Sequence, residues 1–359
     1  MITSERVRSL QVLRGLAACA VVYDHAVQRV DLVWHTHSAV AAWLSWIGNS
    51  GVDLFFVLSG FLMAHLHREQ FGTHASRRFL VRRIVRIAPL YWVLNAVAML
   101  LLIALPGTFS NAHEVSWSWT LGNFLFLPLP RPSGLMVHVI TVGWTLDYEM
   151  YFYVLFALAM LFRRGLALLA AFLLASFTLG LVVKFHQPWL VLLTNNLLLE
   201  FLAGIGIALL LPRLRVPAVI GWILLFGGLA LLSLSDRFDI GHRLWTFGVP
   251  CALILAGCLI IGFRCDGFVG RKLVTVGDAS YSIYLFQAFA LPPAAYVLRL
   301  AGMERLPPDL LAVLIAILGC AAGMLCWALL EKPITNWLRR NVQDRFRDPA
   351  GRPSAVRQS

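Results

Sequence analysis

Charge is scarce in this chain. Only 13% of its 359 residues are Asp, Glu, Lys or Arg, about half the roughly 25% of an ordinary soluble domain. Apolar residues make up 59% and the mean hydropathy is +0.76, more apolar surface than a water-soluble core absorbs. A soluble enzyme and a disordered regulator are thereby excluded. Cysteine is sparse as well: the six present (Cys19, Cys251, Cys258, Cys265, Cys320 and Cys326) lie in or beside apolar runs and form no C-x-x-C pair. That speaks against a disulfide framework and a zinc site, and for packing. Phosphate-cradling P-loops, H-E-x-x-H and G-x-S-x-G are all missing. There is no repeat of 20–50 residues, and neither a cleavable signal peptide nor an appended soluble domain is expected.

What the chain has in abundance is apolar runs. They mark candidate helices near 10–30, 41–66, 88–105, 139–162, 166–183, 189–211, 216–234, 244–263, 274–298 and 309–331, each close to the roughly 20 residues that cross a bilayer. The expected fold is all-α: a polytopic membrane protein of about ten transmembrane helices. Gly48, Asn49, Ser50 and Gly51 interrupt the second run, which predicts a short surface helix followed by a span from Asp53. With the N-terminus inside, 22 Lys and Arg fall on inner segments and seven on outer ones, leaving Arg14 within a span. This asymmetry places both termini in the cytoplasm and the protein in the plasma membrane, the inner membrane of a bacterium. The net charge of +12 then reflects topology and lipid headgroups rather than nucleic acid. Residues 1–335 form the membrane domain, and 336–359 a basic, disordered cytoplasmic tail. The longest outer loop, about 106–138, is rich in Trp, Pro and Asn and is expected to cap the outer mouth.

An ionisable side chain inside hydrocarbon costs about 3 kcal/mol unless paired or hydrated. The first run carries Arg14, Asp24 and His25. Arg14 and His25 are 11 residues apart, about three full turns, so they share one helix face roughly 16 Å apart along the axis. Separately, Arg14 is explained by snorkelling to headgroups and His25 by a hydrogen bond to a neighbouring helix; their common face favours a shared function. Asp24 orients the imidazole or pairs with another helix.

Trp144-Thr145-Leu146-Asp147-Tyr148-Glu149 forms a second polar cluster. Asp147 and Glu149 point to different sides of a helix; either one holds His25 in its working tautomer, or the two bond other helices. A basic run, Arg77, Arg78, Arg82, Arg83 and Arg86, precedes Ile87-Ala88-Pro89-Leu90-Tyr91-Trp92. Arg83 and Arg86 at i, i+3 suit a pyrophosphate at the inner surface, whereas Arg77 and Arg78 read as a positive-inside flank. Asp53 and Ser59, in Gly51-Val52-Asp53-Leu54-Phe55-Phe56-Val57-Leu58-Ser59-Gly60-Phe61, either shape a groove or accompany packing through small residues. Glu200, Asp278 and Glu331 sit near span ends, where ion pairs with flanking Arg or Lys are ordinary.

Together these stretches resemble the acyltransferase-3 family of integral membrane acyltransferases. Leu13-Arg14-Gly15-Leu16-Ala17-Ala18 followed by His25, the Gly51–Phe61 stretch, Arg83–Trp92 and Trp144–Glu149 carry the resemblance, with weaker matches at Ser280-Tyr281-Ser282-Ile283-Tyr284-Leu285 and Glu331-Lys332-Pro333. They fall in the family's order and span residues 10 to 335. The resemblance implies a ten-helix enzyme that takes an acyl group, usually acetyl, from cytoplasmic acyl-CoA and delivers it to a carbohydrate hydroxyl at or beyond the outer face. It makes His25 the catalytic histidine, Arg14 its essential partner, Arg83 and Arg86 the donor-site arginine pair, and Glu149 a polar residue of the active site; the helix geometry adds Arg14 to the donor site, lining the path of the donor's arm. Asp24, Asp53, Ser59, Trp144, Asp147 and Tyr281 are supporting candidates. A histidine often follows the Y-S-x-Y-L stretch; here that place is Gln287, so a proton-transfer role there is not expected.

The expected partners are an acyl-CoA donor (acetyl-CoA as co-substrate, with no permanently bound cofactor and no metal), a carbohydrate or glycolipid acceptor, and membrane lipid, with no nucleic acid. His25 either takes the proton from the acceptor hydroxyl or briefly carries the acyl group. The competing class is a transporter or flippase for a lipid-linked sugar or small solute. It is supported by the spans and the broken second run, and opposed by the lack of an inverted repeat and of paired broken helices.

Overall fold

The computed structural model describes residues 4–72, 75–105, 115–135, 137–235, 243–263 and 265–342. Their regular structure is entirely helical, with no strand among the described residues. Seven helices are long and apolar enough to cross a membrane by length and composition: Ala39–Gln70, Ala75–Ala104, Gly165–Val182, Pro188–Arg213, Leu244–Ile261, Ser280–Leu300 and Pro308–Asn341. Three of the ten expected spans fall outside this set. Helix α1 (Ser4–Trp34) is long enough, at 31 residues, but carries Arg14, Asp24 and His25. The other two are short of the roughly 20 residues needed: α6 (Trp144–Ala159) has 16 and α10 (Ala218–Leu234) has 17.

The interrupted second run forms α2 (Ala39–Asn49) and α3 (Gly51–His67), separated only by Ser50, whose backbone is itself helical at φ −67° and ψ −10°. The expected separation into a surface helix and a span from Asp53 is therefore not seen: Ala39–Gln70 runs as one apolar helical stretch, and the glycines serve packing. A Cβ at Gly48 would sit 2.4 Å from Ala20 O, and one at Gly51 2.6 Å from Ala17 O, so both let this segment lie against α1. Further down α3, a Cβ at Gly60 would meet Phe201 O at 2.0 Å, and one at Gly204 would meet Val57 O at 2.0 Å. Two glycines facing each other bring α3 and α9 (Leu198–Leu210) into backbone contact, the small-residue mode of helix association in lipid.

Helix α4 spans Ala75–Ala104. It begins well before residue 88 because the basic run from Arg77 to Arg86 is itself helical and continues through Pro89. A short helix, α5 (Trp117–Leu125), folds the described part of the loop expected over 106–138 against α4. Its Trp119 is buried, donates from Nε1 to Val137 O at 2.8 Å and lies under the Arg131 guanidinium; Trp92 Nε1 donates to Phe124 O at 2.7 Å. Helices α7 (Gly165–Val182) and α8 (Pro188–Leu193) lead into α9. Helix α7 is apolar all round and buries only Gly165, Leu169 and Leu173, as a helix bathed in lipid does.

Two π turns, Leu244–Gly248 before α11 (Val249–Ile261) and Trp327–Glu331 after α14 (Pro308–Cys326), shift the helical register. The second places Glu331 inside the protein, 1% exposed. Helix α12 (Phe268–Asp278) packs on α1 where Gly277 abuts Gln11 O, and after Ala279 the chain continues as α13 (Ser280–Leu300). Helix α15 (Lys332–Val342) carries the fold past residue 335, so the expected domain boundary lies inside a helix. The tail beyond 342 lies outside the described residues.

Candidate active site

Helix α3 is buried along most of its length, and α1, α4, α6 and α13 gather around it. Between them lie two cavities. One, of about 100 Å³, is lined by Arg14, Arg83, Arg86, Ser59, Glu149 and Tyr281 among others. The second, of about 140 Å³, is lined by Asp24, His25, Gln28, Asn49, Thr141 and Trp144. Val52 and Tyr284 line both and so form the wall between them. The shared face of Arg14 and His25 thus opens into adjoining spaces, one residue in each.

In the Arg14 cavity the polar groups are tied to one another. The Arg86 guanidinium bonds the buried Glu331 carboxylate, whose other oxygen accepts from Ser282 Oγ at 2.5 Å. Arg86 also lies over the Tyr281 ring, and Tyr281 donates its hydroxyl to Ile87 O at 2.7 Å. Arg83 rests on the rings of Phe79 and Tyr153 at 5.5 and 5.6 Å, with its Nε buried and making no hydrogen bond. Glu149 accepts from the Tyr153 hydroxyl, and from Ser59 Oγ at 3.5 Å; Ser59 and Tyr153 are 3.2 Å apart. Arg83 and Arg86 are therefore not an equivalent pair: Arg86 is bonded to Glu331, whereas Arg83 lies on two ring faces with no carboxylate bond among the described residues.

In the second cavity, His25 Nδ1 lies 3.0 Å from Val21 O and 3.2 Å from Gln287 Oε1. No carboxylate touches it among the described residues. Asp24 accepts from Gln28 Nε2 at 3.0 Å and from Ser45 Oγ on α2 at 2.5 Å, so of its two expected roles the structure takes the pairing with another helix. Asp147 faces His138, Oδ2 to Nε2 at 2.9 Å, both buried. Glu149 belongs to the other cavity. Neither carboxylate of the Trp144–Glu149 cluster orients His25, because their helix turns them to different neighbours. Trp144 lines the His25 cavity edge-on to Tyr148.

Asp53 lines neither cavity. It is wholly buried and receives a two-pronged bond from Arg243, Nε to Oδ1 at 2.9 Å and Nη2 to Oδ2 at 2.7 Å; the same Nη2 reaches Asn49 O and Oδ1 at 3.1 Å. Glu200, fully buried, sits beside Asp53 and against Gly248. This group ties α2, α3, α9 and the residue before the π turn together, with Asn49 at the edge of the His25 cavity. It also corrects the simple ion pair expected for Glu200.

The acyltransferase-3 family, described as an acyltransferase domain, matches residues 7–332, which takes in α1 through Lys332 and both cavities.

The chain belongs to that family.

The acyltransferase is also similar to the exopolysaccharide production protein ExoZ of Rhizobium meliloti strain 1021, 32% identical over 80% of this chain and 90% of that protein. With the acyltransferase MdmB of Streptomyces mycarofaciens it shares 25% identity over 96% of each chain. Protein 2 in the picA locus of Rhizobium radiobacter is 30% identical over 41% of this chain and 78% of its own. No solved structure matches. The protein is therefore an enzyme that transfers acyl groups, and with its apolar helices a membrane protein; family membership sets the transporter reading aside.

Sequence reasoning missed several residues that shape this site. Tyr153 is one turn beyond Glu149, an i, i+4 spacing that predicts their contact. Tyr284 is another, i, i+3 on α13 from Gln287, which the sequence marks only as a departure from the family pattern; Gln287 Nε2 donates to Tyr284 O at 2.8 Å. Tyr284 Oη lies 2.9 Å from Thr145 Oγ1 and 3.2 Å from Val142 O, which fixes the dividing wall. Arg243 reaches Asp53 from a distant part of the chain and His138 reaches Asp147 from nine residues upstream, outside its helix, and no helical spacing announces either.

Proposed function

We propose that the enzyme moves a short acyl group, acetyl, from cytoplasmic acyl-CoA to a hydroxyl of an extracytoplasmic carbohydrate. The observation that carries this reading is the division of one α1 face between two adjoining cavities, a cationic one at Arg14 and a hydrogen-bonding one at His25. A thioester donor carries phosphates that guanidiniums bind and a slender arm that fits between helices. Arg83, free of any carboxylate bond among the described residues, and Arg14 hold the donor. Arg86, neutralised by Glu331, contributes less charge and more shape. The cavities, at about 100 and 140 Å³, suit a short acyl group better than a long chain.

The acceptor enters the His25 cavity, where Gln28, Asn49, Asp24 and Thr141 offer amide, carboxylate and hydroxyl partners and Trp144 an aromatic face. These suit a polyol. His25 takes the proton of the acceptor hydroxyl as its oxygen attacks the thioester carbonyl carbon. The C–O bond forms, the C–S bond breaks, and CoA leaves as the thiol with the proton returned. ExoZ is named for exopolysaccharide production, which favours a polysaccharide or its glycolipid precursor as acceptor. The excess of Lys and Arg on inner segments supports ten spans and cytoplasmic termini in a plasma membrane.

Mass spectrometry of the surface glycans tests this reading, comparing the parent strain with a deletion complemented by wild-type or His25→Ala protein. Loss of an acetyl increment on deletion, restored only by the wild type, is the expected result. Glycans unchanged in every strain would remove the carbohydrate acceptor from the account.

A further inference from the structure

His25 Nδ1 faces two oxygens, Val21 O at 3.0 Å and Gln287 Oε1 at 3.2 Å. A backbone carbonyl only accepts, so the first contact requires hydrogen on Nδ1. The second points the same way. Gln287 Nε2 donates to Tyr284 O at 2.8 Å, another carbonyl, so the amide is held with its nitrogen toward Tyr284 and its oxygen toward His25. Gln287 is 2% exposed, with no solvent to compete for either bond. Asp24, next to His25 in the chain, does not share the task, since Gln28 and Ser45 occupy its Oδ1.

We propose that Gln287 is a positioning residue for acyl transfer, holding His25 in the tautomer protonated at Nδ1 so that Nε2 is the atom that accepts the acceptor's proton. A neutral imidazole carries one N–H, so committing it to Nδ1 leaves Nε2 with its lone pair. Hydrolytic triads give this task to a carboxylate. Here a neutral amide performs it, itself anchored one helical turn away on the residue that divides the two cavities. The inference rests on the reading of His25 as the base.

The test combines kinetics with tautomer spectroscopy on the full-length protein in bilayers, with acetyl-CoA as donor and the source membranes' own glycolipid as acceptor. Gln287→Leu keeps the volume and removes the acceptor oxygen, leaving Val21 O. It is expected to lower kcat about tenfold or more while changing either KM by less than about threefold. Gln287→Glu keeps an acceptor at Nδ1 and is expected to retain most of the activity. Solid-state ¹⁵N spectra of histidine-labelled wild type, with His25→Asn used to assign the signal, are expected to show His25 protonated at Nδ1. A His25 protonated at Nε2 in the wild type, or a Gln287→Leu enzyme with unchanged kcat, would overturn the proposal. If Gln287→Leu does not fold, Gln287→Met, which also lacks the acceptor oxygen, takes its place in both measurements. If His25→Asn transfers acyl groups normally, the base assignment fails instead, and the His25 signal compared between wild type and Gln287→Leu still reports separately whether Gln287 sets the tautomer.

Discussion

Arg14 and His25 stand on one face of α1 yet open into different cavities, with Val52 and Tyr284 forming the wall between. A donor held at Arg14 therefore meets His25 only by passing that wall. Tyr284 is fixed by Thr145 and Val142 and lies edge-on to Phe55 at 5.9 Å, so the passage is narrow. Shortening its side chain should widen it. Tyr284→Ala is expected to accept longer acyl-CoA donors than the wild type, and a competition assay with acetyl-, butyryl- and hexanoyl-CoA reads the change. An unchanged preference would place the selection elsewhere.

The two arginines of the donor region should respond differently to removal. Arg83→Ala takes away a cation resting on Phe79 and Tyr153 and is expected to raise KM for acetyl-CoA with little loss of thermal stability in detergent. Arg86→Ala leaves the buried Glu331 without its cation. That is expected to cost about 3–5 kcal/mol, partly recovered by adding Glu331→Gln. Equal stability losses in the two single variants would contradict the asymmetry.

The Asp53–Arg243 pair is expected to matter for folding and not for chemistry. Arg243→Ala abandons Asp53 beside Glu200 in the interior and should destabilise by about 3–5 kcal/mol. The protein that remains folded should keep a normal KM for acetyl-CoA. Thermal unfolding and donor titration on the same preparation check both halves.

Where α3 crosses α9, Gly60→Val and Gly204→Val each press a side chain into backbone oxygen. Each is expected to lose about 1–3 kcal/mol or more, the cost of overpacking, with the loss read as lower expression and a lower unfolding temperature. Gly206, whose added Cβ meets nothing within 4 Å, serves as the control: its alanine variant should match the wild type.

Much of this architecture is legible in the sequence because lipid enforces a simple rule. Apolar runs become helices, since the backbone has no other way to satisfy its polar groups there. Arg14 and His25 were readable as a pair because helical periodicity alone puts them on one face. Arg83 and Arg86 looked equivalent for the same reason, and that is where periodicity fails. It places side chains on a face of their own helix and says nothing of what the facing helix brings. Glu331, carried inward by a π turn, is what separates the two arginines. Likewise, His25 found Gln287 across 262 residues of chain, and Asp147 found His138 in the segment before its own helix. The missing spans of the ten also have a physical cause: α1 gives up hydropathy to the residues that make the site, and α6 and α10 are short.

The most direct test of the account is acyl transfer by inverted membrane vesicles that contain the protein, supplied with radiolabelled acetyl-CoA on their outward-turned cytoplasmic face. The account predicts label in the glycolipid or glycan fraction with matching release of CoA thiol, and a fall of at least about a hundredfold in both with His25→Ala. Transfer that continues at the wild-type rate without the His25 imidazole would contradict it.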